Sequence, residues 1–191
     1  MSEINDTTVF DTETCGFSDK SVILTLSAVR FNRNESKLAL DRKAEFHASL
    51  SIPEQLLKQR VIEPGTMKWW DKQSEDAKSA AFFGSVIGKN KDILEKFFQF
   101  ISGSQLFCRG TDFDPPKLIS LCKDFDVEVP YKYNQYRDVR TYIDAFTDGN
   151  TGYLDDQSLT DDLIPHNSLH DCWRDAIQMV RARQMFIDKI I

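Results

Sequence analysis

The sequence predicts an α/β fold built on a mixed five-stranded sheet, in which three antiparallel strands are followed by two strands reached through helices. The N-terminal part carries three runs rich in apolar and β-branched residues, which favour strands. The remainder alternates between segments with helical spacing of apolar residues and two short strand-like runs. Such alternation is typical of α/β proteins.

The first three strands are predicted to form an antiparallel meander. They cover residues 7–11, 21–31 and 39–50, and a turn at 32–35 joins the last two. If the first strand is the inner one, its end lies at an edge of the sheet where α/β enzymes place their sites.

Two helices and a strand are predicted in the middle of the chain. Residues 51–60 form a short helix with Ser51 as its cap. Residues 91–101 carry apolar side chains at helical spacing and form a core-facing helix. Residues 106–108 form a short buried strand.

Two adjacent tryptophans allow two interpretations. Residues 64–70 are predicted to form a turn that leads to Trp69 and Trp70, and a polar helix follows over 71–81. Adjacent tryptophans cannot both face one core. Either one ring is exposed as a stacking platform for a nucleobase, or both rings cover the edge of the sheet.

The C-terminal half is predicted to contain a helix, a last strand and a long closing helix. Asp114 lies at a helix N-terminus, because the two prolines that follow it fit the first helical turn. The last strand covers residues 136–142, and the closing helix covers residues 167–189.

Composition limits the class of protein. With 191 residues and 41% hydrophobic content, the chain is expected to form a single domain over residues 1–191. A net charge of -6 argues against a broad basic surface for nucleic acid, so a polyanion would have to be held locally or through metal. The cysteines are too widely spaced for a zinc ribbon or a disulfide framework, which fits a reducing cytosol. Residues 1–6 lack the basic, then apolar, then small-residue order of a signal peptide, and no apolar run reaches roughly 18 residues, so no membrane association is expected.

Two acidic residues of the first strand are candidate metal ligands. Asp11 and Glu13 point to the same side of an extended strand, about 7 Å apart, while Thr12 points away. Their carboxylates repel each other unless a cation lies between them. Taken alone, the pair fits a strand end with solvated acids equally well. Asp114 and the segment 165–172 supply further acidic groups at element ends.

The acidic positions together resemble the DnaQ-like, or DEDDh, family of 3′-5′ exonucleases. Asp11 and Glu13 are similar to the Asp-x-Glu of that family's first strand, with the usual Thr and Gly after it. Phe113 and Asp114 are similar to the Phe-Asp pair that opens a helix in its middle motif.

The closing motif and two flanking segments extend the resemblance over nearly the whole chain. His166 to Asp171 is similar to the family's His-x4-Asp. Residues 138–141 and 110–114 further resemble the small stand-alone branch that includes phage exonuclease A and related bacterial exoribonucleases. One departure is Gly110, which stands where many relatives carry Asn.

The resemblance implies an RNase H-like fold and removal of nucleoside 5′-monophosphates from single-stranded DNA or RNA 3′ ends. It also implies two divalent cations, Mg²⁺ or Mn²⁺, which hard oxygen ligands suit. The implied ligands are Asp11, which would bridge both ions, and Glu13, Asp114 and Asp171. His166 would deprotonate the attacking water, a role typical of imidazole. The residues implied to contact the terminal nucleotide are Thr12, Thr14 and Phe17.

Several alternatives stay open at this point. His170 and Asp175 also fit His-x4-Asp, although Ser168, Leu169 and the apolar positions after Asp171 favour the first pair. The rival class is a nuclease-like module that binds nucleic acid ends or a protein partner without cleaving. A proofreader fused to a polymerase is a second rival, but 191 residues are too few for a polymerase domain. The choice of DNA or RNA and the oligomeric state stay open, and a homodimer is compatible with the sequence. A cytoplasmic location is expected, in a bacterium or in the host cell of a phage.

Overall fold

The computed structural model describes residues 6–35, 44–86, 88–154 and 160–190. Within them, five strands form one sheet: β1 (Thr7–Thr14), β2 (Ile23–Phe31), β3 (Glu45–Ser49), β4 (Gln105–Cys108) and β5 (Tyr136–Asp138). The strand order is β3-β2-β1-β4-β5. Pairing is antiparallel between β1 and β2 and between β2 and β3, and parallel between β1 and β4 and between β4 and β5. The predicted mixed sheet of three antiparallel and two parallel strands is confirmed.

Helices connect and cover the strands. They are α1 (Ile52–Leu57), α2 (Pro64–Trp70), α3 (Glu75–Phe82), α4 (Asn90–Ile101), α5 (Asp114–Asp124), α6 (Val139–Thr147) and α7 (Ser168–Ile190), with a 3₁₀ turn at Tyr133–Gln135. Every helix in the described part of the chain is too short or too polar to cross a bilayer.

The central strand β1 divides two hydrophobic cores. Phe10 packs with residues of α4 and α5 on one face of the sheet. Val9 packs with Cys172, Ala176 and other residues of α7 on the opposite face. Because side chains alternate along a strand, Asp11 and Glu13 continue the α7 face, and Thr12 continues the α5 face.

The predicted last strand over 136–142 was wrong beyond Asp138. The side chain of Asp138 accepts a hydrogen bond from the backbone N–H of Thr141 at 2.9 Å. Asp138 therefore caps α6, and the apolar residues that follow form a helical face instead of a strand. The same carboxylate accepts a hydrogen bond from the N–H of Gly110 at 2.9 Å, which ties the β4–α5 loop to β5.

Three further boundaries differ from the sequence prediction. The predicted turn over 64–70 is helix α2, which begins at Pro64, where the missing N–H costs nothing. The polar helix begins at Glu75, because the Ser74 hydroxyl caps it through the N–H of Ala77. The first helix ends at Leu57, before Arg60. In the third strand, residues 39–43 lie outside the described residues.

Candidate active site

Three carboxylates from two elements converge at the end of β1. One oxygen from each of Asp11, Glu13 and Asp171 lies within 4.8 Å of the others. Asp11 and Glu13 meet on one side because β1 is regular at that point, and Asp171 lies in the first turn of α7. The structure therefore brings the predicted metal ligands of the first strand, Asp11 and Glu13, next to that of the closing helix, Asp171.

Asp114 approaches the same point from the opposite face of the sheet. It is the first residue of α5 and is only 2% exposed. Its Oδ1 accepts a hydrogen bond from the Thr12 hydroxyl at 2.5 Å. Thr12, which points away from Asp11 and Glu13, thus orients the fourth predicted carboxylate beside the other three.

The electrostatics of the cluster favour a bound cation. Burial, followed by the charges of Asp114, Asp171 and Glu13, raises the pKa of Asp11 well above its usual value. Burial also raises the pKa of Glu13, and raises that of Asp114 to about 7. Clustered hard oxygen donors with such mutual repulsion fit a divalent cation such as Mg²⁺ or Mn²⁺.

The raised pKa values make a stability prediction for the protein in EDTA. A carboxyl group with a raised folded-state pKa stabilises the fold below its unfolded pKa, and this contribution disappears as the pH rises through the folded pKa. We therefore expect the melting temperature to fall between pH 5 and pH 8, and Asp114→Asn to reduce that fall. Thermal melts across this range measure it.

The control for this stability prediction is Asp148→Asn, at an exposed residue with φ 55, which asparagine tolerates. This variant should follow the wild-type pH curve. A wild-type protein that gains stability in EDTA as the pH rises from 5 to 8 would contradict the expectation.

Hydroxyl groups anchor the N-terminus of α7 to the sheet. The Ser168 hydroxyl is hydrogen-bonded to those of Thr25 and Ser27, each at 2.7 Å. The Asn167 side chain accepts a hydrogen bond from the N–H of Leu169 at 3.1 Å and caps the helix. These contacts fix Asp171, one turn later, against β1.

Arginine side chains hold the acidic groups of α7, and the sequence prediction missed them. Arg109 forms an ion pair with Asp175 at 2.8 Å, and both side chains are at most 9% exposed. Arg174 pairs with Asp171 at 2.5 Å and with Asp175 at 3.1 Å. Arg109 also lies over the ring of Tyr153, 3.8 Å from its centroid. The pair of Arg109 with Asp175 joins residues 66 positions apart, so no local pattern could have predicted it, whereas the pair of Arg174 with Asp171 has the i,i+3 spacing of a helix.

His166 lies at the edge of the cluster. Its ring packs against Trp69 edge to face, with centroids 4.8 Å apart. Its backbone has a φ of 61, a conformation that L residues rarely adopt. The charge of His166 and a backbone hydrogen bond from it lower the pKa of Asp171, against the larger effect of burial. His166 therefore lies next to Asp171, one of the clustered carboxylates.

His170 occupies a different environment. Its Nδ1 accepts a hydrogen bond from the N–H of Ile164 at 2.9 Å. Burial lowers the pKa of His47, on β3, and the charge of His170 acts in the same direction. His170 does not line the pocket that contains His166. The alternative closing pair thus has Asp175 in an ion pair and His170 in a loop contact.

A pocket of about 290 Å³ opens beside the cluster, and we call it the terminal pocket. Its lining includes Thr12, Glu13, Thr14, Gly16, Phe17, Thr66, Trp69, Trp70, Phe113 and His166. Phe17 is 76% exposed and packs against Phe113 with ring centroids 6.0 Å apart. Thr12, Thr14 and Phe17, the residues predicted to contact a terminal nucleotide, all line this pocket. His166, the predicted general base, lines it as well.

The tryptophan pair separates as one of the two interpretations expected. Trp70 is 1% exposed, and its Nε1 donates a hydrogen bond to the Thr14 carbonyl at 3.0 Å. Trp69 is 41% exposed and forms a wall of the terminal pocket. Gly16 allows a close approach of neighbouring groups, because a Cβ there would meet the side chains of Ser21 and Glu63.

Comparison with known proteins identifies the family. A profile of the 3′-5′ exoribonuclease Rv2179c-like domain matches residues 6–184. The chain belongs to this family. It is a 3′-5′ exonuclease of the DEDDh type, as the resemblance predicted. An exodeoxyribonuclease of Enterobacteria phage T4 is 28% identical over 200 residues, which cover 91% of this chain and 87% of that protein.

Solved structures support the fold. Pop2p of S. pombe, in its Mg²⁺- and Mn²⁺-bound form, matches with a TM-score of 0.55 and 13% identity, over 97% of this chain and 83% of that one. E. coli ExoI, in a complex with single-stranded DNA, matches with a TM-score of 0.57 and 11% identity. The match covers 97% of this chain and 41% of ExoI. The predicted RNase H-like fold is confirmed.

Proposed function

We propose that the protein is a metal-dependent exonuclease that removes nucleoside 5′-monophosphates from single-stranded 3′ ends by a two-metal-ion mechanism. The observation that carries this proposal is the convergence of Asp11, Glu13 and Asp171 within 4.8 Å, beside a pocket whose lining includes Glu13 and His166. Buried carboxylates next to an open pocket suit phosphodiester hydrolysis at a chain end, where one nucleotide fills the pocket.

The four carboxylates would hold the cations. These carboxylates are those of Asp11, Glu13, Asp114 and Asp171. The chemistry supplied by the bound ions is a lowered pKa of the attacking water and stabilisation of charge on the departing 3′-oxygen. The protein supplies fixed geometry, because β1, α5 and α7 are rigid elements and the Thr12 hydroxyl orients Asp114.

His166 would accept the proton of the attacking water. Imidazole can take up and release a proton near neutral pH, and the ring lies at the pocket wall beside Asp171. The packing of Trp69 against the ring limits its rotation.

The terminal pocket would hold the last nucleotide. The aromatic rings of Phe17, Trp69 and Phe113 offer stacking surfaces for a base of any identity. The Thr66 hydroxyl in the same pocket is buried and has no hydrogen-bond partner among the described residues. A polar atom of the bound nucleoside would satisfy it.

Both RNA and DNA are named among the proteins that this chain resembles. The family is described as exoribonuclease, the phage relative as exodeoxyribonuclease, and an E. coli structural neighbour is in complex with a dA16 oligonucleotide. We propose single-stranded nucleic acid as the substrate class, and matched DNA and RNA oligonucleotides of one sequence compare the two sugars.

The proposal predicts the polarity of degradation and its product. With Mg²⁺ or Mn²⁺, a 5′-labelled single strand should shorten as a ladder from its 3′ end and release nucleoside 5′-monophosphates. A bulky 3′ block should stop the reaction, because the terminal pocket is small. Gel electrophoresis and chromatography of the products measure both.

EDTA and a circular single strand are the controls for that assay. Full activity in EDTA would exclude the metal-dependent mechanism. Cleavage of the circle would indicate an endonuclease, and binding of the linear strand without cleavage would favour a nuclease-like binding module.

A further inference from the structure

We propose that a second groove, lined by arginines and aromatic rings, binds the phosphate backbone of the substrate strand upstream of its 3′ end. This inference rests on the proposed function, since it assigns a second contact to the same substrate. The groove runs along β4 and β5 and has a volume of about 640 Å³. We call it the arginine groove, and the residues that define it are Arg33, Phe107, Arg137, Tyr142, Phe146 and Arg183.

The three guanidinium groups of the groove are not neutralised within the described part of the chain. The described ion pairs include none of Arg33, Arg137 or Arg183. Their hydrogen bonds go to neutral oxygens, such as the Gln105 side chain for Arg33 and the Asn134 carbonyl for Arg137. In a protein with a net charge of -6, this concentration of free positive charge requires an explanation.

The carboxylates near the groove leave that charge in place. Asp138 lines the groove, but it caps α6 and lies 3.7 Å from Arg140, outside the arginine set. Burial raises the pKa of Tyr142, and the charges of Arg33 and Arg183 oppose this effect more strongly than the charge of Asp6 adds to it. Three arginines, from the turn after β2, from β5 and from α7, therefore outnumber the two carboxylates near this opening.

Aromatic rings lie between the arginines. The rings of Phe107 and Tyr142 pack edge to face at 5.7 Å, and those of Tyr142 and Phe146 at 4.9 Å. Arg33 lies 5.8 Å from the centroid of the Phe107 ring. Phe107 is only 4% exposed and belongs to the core, so the half-buried rings of Tyr142 and Phe146 are the ones available to a base. Guanidinium groups that bind phosphate, beside rings on which bases stack, are the pattern of single-strand binding surfaces.

The position of the groove suits the strand that leads into the terminal pocket. Thr111 lines the arginine groove, and Phe113, two residues later, lines the terminal pocket. Arg183 lies twelve residues beyond Asp171 on α7, about 18 Å along the helix axis. At roughly 3.4 Å per stacked nucleotide, that distance corresponds to about five nucleotides. A dinucleotide is too short to reach from the carboxylates to Arg183.

The test compares a variant that removes the three arginines, R33Q/R137Q/R183Q, with the wild type on two substrates. The ratio of KM for a 12-nucleotide single strand to KM for a dinucleotide should rise about tenfold or more. In the Asp11→Asn background, the affinity for a fluorescent 12-mer should fall. The slope of log affinity against log salt concentration should become shallower by about 2, since each lost phosphate contact removes about 0.7 from that slope.

The matched control is K96Q/K123Q/K189Q, which changes the net charge equally at exposed residues outside the groove. Binding and KM ratios in the arginine variant that equal those of this control would overturn the proposal. Retained 12-mer binding, with loss of binding only to an acidic peptide, would overturn it in favour of a protein partner. If the wild type cleaves neither substrate, the proposed function fails, while the 12-mer titration still tests the groove.

Discussion

Asp11→Asn is expected to reduce cleavage by about 10³-fold or more while leaving the fold intact. Asp11 would hold metal together with Glu13, Asp114 and Asp171, and asparagine in its place removes the negative charge of one of these ligands. Metal-ion catalysis contributes several kcal/mol to lowering the barrier, and each 1.36 kcal/mol is a factor of ten in rate. Single-turnover cleavage of a labelled oligonucleotide at saturating Mn²⁺ measures the loss.

The metal dependence of thermal stability checks the cause of that loss. A ligand that binds only the native state raises the melting temperature, so Mn²⁺ should stabilise the wild type and fail to stabilise Asp11→Asn. In EDTA the variant should melt at or above the wild-type temperature, because burial and neighbouring charges disfavour ionised Asp11. Asp148→Asn should retain wild-type activity. A residual rate above about a tenth, a loss below about 1.4 kcal/mol, would show that Asp11 is not a metal ligand.

Local periodicity explains why much of the site could be predicted. Alternation along β1 places Asp11 and Glu13 on one side and Thr12 on the other, and the structure keeps that arrangement. Helical periodicity likewise places Asp171 beside the buried face of α7, where Cys172 is fully buried. Patterns within one element survive folding because the element's own geometry sets them.

Features that depend on contacts between elements could not be predicted in this way. The strand β5 has three residues, too few for alternation to show, and the cap formed by Asp138 ends it. The ion pair of Arg109 with Asp175 joins the residue after β4 to α7 across 66 positions of sequence. The exposed position of Trp69 follows from helix α2, which replaces the turn predicted over 64–70.

The second large effect concerns the choice between the two closing pairs. His166→Ala is expected to reduce the rate by on the order of 10²-fold or more, as loss of a general base does, and His170→Ala to reduce it little. His166 lines the terminal pocket, whereas the described contact of His170 is to the backbone of Ile164. Rates at saturating substrate and metal, with melting temperatures for both variants, measure the difference.

Substitution of Asp175 should mainly reduce stability, whereas substitution of Asp171 should mainly reduce activity. Asp175→Asn breaks a buried ion pair with Arg109, which typically costs about 3–5 kcal/mol of stability. Asp171→Asn removes a carboxylate of the cluster and should lose activity with a smaller loss of stability, since its partner Arg174 keeps its contact with Asp175. Asp175→Asn should retain its activity at temperatures where it stays folded. If instead His170→Ala and Asp175→Asn lose activity while His166→Ala and Asp171→Asn keep it, the active site lies one turn further along α7, and Asp175 is the last metal ligand.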